Sequence, residues 1–156
     1  MLKLNINHKM ESKTNNLKRA VLAFAFILAS TTFSVAQCEK PVTLISSLTT
    51  YLNAKGEVQR TKDEESVITL SKSEIIIVPG DEEHKMTGVI KSYVCNWSVP
   101  FKTGKTVATT VLTDGGREMN ATVTIEGKDG KVTLTFEAKE MPDMKIMIVA
   151  DKFQSL

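Results

Sequence analysis

The chain has 156 residues, of which 42% are hydrophobic and 24% charged, with a formal net charge of +2. That charge is unevenly placed: five of the 20 Lys and Arg (Lys3, Lys9, Lys13, Lys18, Arg19) and one of the 18 acids (Glu11) fall in the first 36 residues, leaving 15 basic and 17 acidic residues in 37–156, a net of −2. A slightly acidic remainder with its Lys interleaved among acids has no electrostatic footprint for DNA or RNA, so composition argues against a nucleic-acid partner.

The chain opens with a basic segment ending in Lys18-Arg19, followed by the uncharged run Ala20 to Ala29. Ten residues at about 1.5 Å each reach about 15 Å, half the hydrocarbon thickness of a bilayer. Ser34 and Ala36 then supply small residues at −3 and −1 for a cut after Ala36. Basic, apolar, then small-x-small predicts a cleaved secretory signal peptide over 1–36 and an exported single domain over 37–156. Initiation at Met10 keeps Lys13, Lys18 and Arg19 and leaves this reading intact. No later segment reaches membrane-spanning length. The expected location is periplasmic or secreted. Lipid anchoring through Cys38 is the alternative, although a lipoprotein signal wants a small residue where Gln37 stands.

Export permits a disulfide, and the remaining chain has two cysteines, Cys38 and Cys95. Their bridge closes a loop of about 57 residues, for which chain entropy predicts about 4 kcal/mol of stabilisation. The alternative is a buried free Cys95 with Cys38 lipidated or unpaired.

Beyond residue 40 the chain consists of short Thr-, Val- and Ile-rich runs divided by turn residues, the pattern of an antiparallel sheet. The predicted strands are Val42 to Tyr51, Val67 to Leu70, Glu74 to Val78, a long one from Lys85 to Val99, Lys105 to Thr113, Arg117 to Glu126, Lys131 to Lys139, and Met144 to Phe153. Glu57 to Glu65 has Val58 as its one apolar residue and reads as an exposed loop or frayed strand. Pro79-Gly80, Asp114-Gly115-Gly116 and Asp129-Gly130 are turn signals. Gly88 is a candidate bulge or kink in the long strand.

Ala121, Val123 and Ile125 alternate with polar neighbours, as do Val132, Leu134 and Phe136, so these strands have one buried and one wet face. Val107 to Leu112 and Ile146 to Val149 are apolar at both parities and are expected where both faces are covered. With no crossover helix, the fold class is all-β: about eight antiparallel strands in an up-and-down meander, closing into a small or partly closed barrel. A two-sheet sandwich is the alternative.

The chemistry-bearing residues are sparse. His84 is the one histidine beyond the signal, in the polar turn Asp81-Glu82-Glu83-His84-Lys85; a zinc site wants several such ligands, so no metal is expected. No Gly-x-Ser-x-Gly elbow accompanies a Ser–His–acid set. Lys91, the nearest candidate base to Cys95 on its strand, lies about 13 Å away along it. No catalytic residue is nominated, no cofactor is expected, and the chain is read as a non-enzyme, with a carboxylate-based hydrolase as the third choice.

What remains is the long strand, which holds the single Trp. Read with period two, Val89, Lys91, Tyr93, Cys95 and Trp97 share a face. Lys91, Tyr93 and Trp97 are therefore the candidate ligand-binding residues, in a pocket with aromatic walls. The competing account makes Tyr93 and Trp97 core residues and puts Lys91 near solvent.

The layout (a signal ending Ala36-Gln37, about 120 further residues, successive Thr-rich strands) resembles small secreted β-sheet proteins of Bacteroidota that have no assigned function. An eight-strand meander is also similar to lipocalin-like barrels, whose Gly-x-Trp near the first strand is replaced here by a strand bearing Leu48 and Tyr51. A predicted closed sheet with an aromatic face and no catalytic set points to an exported, non-enzymatic binding protein of the cell envelope or medium, with an unknown small apolar ligand or an envelope protein as partner. The alternative function is a protein–protein interaction module: an inhibitor, an adhesin accessory or an envelope scaffold.

Overall fold

The computed structural model describes residues 37–156, and the signal peptide expected over 1–36 lies outside the described residues. A helical turn at 37–39 leads into nine strands: β1 (Val42–Asn53), β2 (Val58–Leu70), β3 (Glu74–Pro79), β4 (Met86–Val99), β5 (Thr103–Asp114), β6 (Arg117–Lys128), β7 (Lys131–Ala138), β8 (Met144–Val149) and β9 (Lys152–Ser155). Each strand from β1 to β8 pairs antiparallel with the next, and β8 returns to Thr49–Asn53 of β1. The result is the up-and-down eight-strand barrel that the meander predicts. Closure pairs most of the sheet edges that an open sandwich would leave, which is why tight turns and amphipathic strands suffice.

The turns follow from their residues. Gly115 and Gly116 both have positive φ (54° and 87°), as do Asp129 and Gly130 (51° and 77°). Two successive left-handed residues twist a two-residue hairpin in the sense of the strands it joins.

The last expected strand, Met144 to Phe153, divides at Asp151. β8 pairs with the second half of β1, and β9 pairs with its first half, Val42–Ile45. Between them the Asp151 amide donates to Ile45 O (2.8 Å), and the Asp151 carboxylate accepts from the Ser47 amide (2.7 Å). A side chain thus replaces a ladder acceptor where β1 is itself irregular, between Ser46 and Leu48.

The polar segment expected as an exposed loop or frayed strand is a strand, the exposed first half of β2. Tyr51 pairs with Arg60 and Thr49 with Lys62, whereas β3 pairs only with Ser66–Leu70. Residues 58–63 therefore project past the end of β3 and are exposed on both faces. A strand in that position needs hydrogen bonds but no buried side.

In β4 one irregularity falls at Lys91 and a second at Ser98, and Gly88 is in regular register with Leu112. Gly88 serves close packing instead: a Cβ there would meet Thr110 Oγ1 at 2.5 Å and Val111 O at 2.8 Å. Inserting Lys91 reverses the face that follows. Met86 and Ile90 turn inward before it, Tyr93, Cys95 and Trp97 after it, while Val89 stays 61% exposed. The bulge is hydrogen-bonded on both sides: Thr110 Oγ1 donates to Val89 O (2.9 Å), and the Ile90 amide donates to Ser73 O (2.9 Å).

One core fills the barrel, with Leu44, Leu70, Ile75, Leu112, Val123 and Ile125 nearly inaccessible. Val107, Val111 and Met147 lie on the outer wall and are only half-buried. Their two-faced apolar pattern does not mark double coverage, because a barrel has a single interior and, among the described residues, no second layer covers the outer wall of β5 or β8.

Candidate ligand cavity

The two ends of the barrel differ, and the difference separates packing from binding. At one end Trp97 is 0% exposed, with Phe153 at 5.4 Å and Phe101 stacked edge-on to Phe153 at 5.2 Å. The Trp97 indole donates to Thr106 Oγ1 at 2.8 Å, satisfying the group that would otherwise make a buried indole costly. Gly127 lies against the ring, where a Cβ would meet Trp97 Cζ3 at 2.6 Å. This end is plugged.

The N-terminal turn seals its side. Cys38 and Cys95 form a disulfide with Cα atoms 5.8 Å apart, Gln37 Oε1 accepts from the Phe101 amide at 2.7 Å, and Glu39 pairs with Lys72 at 2.7 Å. A Cys38 sulfur bonded to Cys95 is not available for the thioether of a lipid anchor. Among the described residues no strand pairs with the outer edge of Ser92–Val99, because β3 reaches only Met86–Val89. The tethered turn occupies part of that gap.

The three residues selected from the sequence therefore do not form a pocket. Tyr93 and Trp97 do share a face and converge on Thr106, but that face is core. Burial raises the Tyr93 phenol above its ordinary pKa, with a hydrogen bond to Thr106 opposing the shift. Lys91 stands on the outer wall, bordering an open trough of about 420 Å³ with Glu74, Val111 and Glu118. A trough between side chains of a convex wall has no enclosure with which to desolvate a ligand.

A half-open hollow with an almost wholly apolar lining lies toward the other end. A cavity of about 180 Å³ is walled by Ile68, Ile77, Leu134, Phe136, Ile146 and Ile148. Deep within it Thr49 Oγ1 and Ser66 Oγ, both buried, lie 3.4 Å apart in a weak hydrogen bond. Its mouth is made by Tyr51, Glu64, Pro79 and Met86. The Glu64 side chain is 7% exposed and bonds Lys62 Nζ at 2.6 Å; Lys62 is 59% exposed, and Glu64 raises its ammonium above the ordinary lysine range. The Arg60 guanidinium sits 4.0 Å over the Tyr51 ring, a cation–π contact.

Sequence reasoning does not find these mouth residues because the projecting half of β2 reads as an exposed loop or frayed strand with no buried face. Arg60, Lys62 and Glu64, spaced by two, were the available signal, and Tyr51 was the aromatic residue set aside with the first strand. Among the described residues no three or more His, Cys, Asp or Glu side chains gather where they could hold a metal ion, and His84 is the last residue of an exposed turn capped by Asp81 at its start and Lys85 at its end.

Fold and site together define an up-and-down β-barrel, plugged by aromatic packing at one end and hollow toward the other. No protein-family model matches the chain, and a comparison with curated proteins finds no match. Among the described residues no helix is long and apolar enough to cross a membrane, and the disulfide suits an oxidising compartment.

Proposed function

We propose that the protein is an exported, non-enzymatic binding protein of the cell envelope or medium that carries a small apolar ligand. The observation behind this reading is the cavity walled by Ile68, Leu134, Phe136 and Ile148. Barrels of this topology bind in their mouths, where apolar walls exclude water and a few polar groups orient the guest. A cavity of about 150 Å³ lined by Leu, Ile and Phe is enough to bind benzene, so about 180 Å³ suits a ligand of comparable or slightly greater size. Export rests on the signal-like N-terminus and is supported by the disulfide.

Native mass spectrometry of the purified protein, with displacement of a small fluorescent apolar dye, tests the cavity. Uptake of one dye per chain that is abolished by Ile77→Phe, with the barrel still folded by circular dichroism, is the expected result. No uptake by the unmodified protein, or equal uptake by the filled variant, defeats the reading.

A second reading, a protein–protein module, is favoured by the unpaired edge of β4 at Ser92–Val99, next to which Val94 is 65% and Val99 45% exposed. Such an edge is a template for strand addition by a partner. Pull-down from envelope extract with the intact protein and with Val94→Lys tests it; capture of the same partners by both, or of none, rejects it.

A further inference from the structure

We infer that the cavity takes a small apolar amine, whose ammonium binds the Glu64 carboxylate in place of Lys62 Nζ. The inference rests on the cavity being a ligand site and adds the chemistry of the head group.

A carboxylate is an expensive group to place against apolar walls, and it stays there only with a compensating donor. Glu64 lines the cavity with its side chain 7% exposed, and the ion pair it makes is with Lys62 alone among the described residues. Lys62 reaches it from a 59% exposed position on the same face of β2, two residues away. The pair is thus asymmetric: the anion is fixed at the lip of the cavity, and its counter-ion is a flexible, solvated side chain. A guest ammonium arriving from the cavity side meets a carboxylate already desolvated, while the released Lys62 ammonium returns to water at little loss.

The surroundings select the same charge. Tyr51 also lines the cavity, and the guanidinium 4.0 Å from its ring centroid marks it as a wall that attracts cations. An acidic head group would meet the buried Glu64 charge head-on. The cations near it are Lys62, already neutralised by Glu64, and Arg60, exposed and engaged with Tyr51. A purely apolar guest would fill the walls yet leave the carboxylate without a role. The volume limits the apolar part to about one aromatic ring or a chain of similar bulk. The Thr49–Ser66 hydroxyl pair shares one hydrogen bond between two hydroxyls and so retains a donor for a polar atom partway along the guest.

Three probes of one shape separate the possibilities: phenethylamine, phenethyl alcohol and phenylpropanoate, titrated into the purified full chain by calorimetry at low salt. The amine is expected to bind about tenfold tighter than the alcohol, and the acid weakest, as an ammonium pairs with the carboxylate in full where a hydroxyl offers it one hydrogen bond and no charge. Glu64→Gln should bring the amine down to the affinity that the alcohol has in the same variant. Lys62→Met, which removes the resident counter-ion, should tighten the amine several-fold. The inference is overturned if the acid binds best, if the amine keeps its advantage in Glu64→Gln, or if Lys62→Met weakens amine binding. Equal binding of alcohol and amine removes the amine assignment and leaves the cavity reading standing. Failure of all three probes together with absent dye uptake removes both.

Discussion

The indole of Trp97 and the hydroxyl of Thr106 meet at 2.8 Å inside the plugged end of the barrel, both side chains almost wholly out of water. Trp97→Phe keeps most of the ring volume but leaves the Thr106 oxygen without that donor, at a cost of about 1–3 kcal/mol. Trp97→Ala also opens a cavity and should cost about 3–5 kcal/mol. Urea denaturation of both, beside Thr106→Val, checks the assignment: if the two losses add fully in the Trp97→Phe, Thr106→Val double variant, the residues are not coupled.

Gly127 is where β6 passes the indole with no side chain of its own. A Cβ there would meet Lys102 O and Trp97 Cζ3, each at 2.6 Å, and one of these is backbone. Gly127→Ala should lower stability by about 1–3 kcal/mol through overpacking. The same substitution at Gly115, where nothing lies within 4 Å of the added carbon, acts only through its positive φ of 54° and should be milder. Thermal midpoints of the two variants give the order.

The Cys38–Cys95 bridge joins residues 57 apart in sequence. Chain entropy sets its contribution at about 4 kcal/mol, largely by restricting the unfolded chain. The Cys38→Ser, Cys95→Ser double variant should therefore melt at a markedly lower temperature yet still close its barrel, because β1 keeps its ladders with β2, β8 and β9. Dye uptake at the opposite end should survive. Loss of the cavity together with the bridge would mean that the two ends are coupled.

Lys91 shows where period-two reading stops working. Its neighbours in sequence predict one continuous face from Val89 to Trp97, and a single inserted residue moves Lys91 and Val89 to the outer wall. A one-residue shift exchanges the two faces of a strand, and nothing in the local composition announces it. Barrel closure, the Asp-Gly hairpin and the disulfide pairing were legible, since they depend on local turn chemistry, alternation and the count of cysteines. The cavity was not legible. Its walls come from β1, β2, β3, β7 and β8, and its mouth from a polar strand whose partner is remote in composition. Lys91→Ala should accordingly change stability by no more than about 0.5 kcal/mol and leave the binding of any cavity ligand untouched, as read by calorimetry.

Tyr93 links this geometry to pH. Burial holds its phenol above the ordinary value, so the folded state keeps the proton after the unfolded state has begun to release it. Stability from Tyr93 is complete below about pH 10, where the unfolded phenol is still protonated, and is lost as pH rises through that value toward the higher folded one. The chain has two tyrosines, so Tyr51→Phe isolates the tyrosinate absorbance of Tyr93. Its titration midpoint in the folded protein should lie above that in urea. In Tyr93→Phe the alkaline loss of stability should be shallower, because the ionisation that drew the chain toward the unfolded state has been removed. A folded midpoint at or below the unfolded one would mean that the hydrogen bond with Thr106, which favours the charged form, outweighs burial at this site.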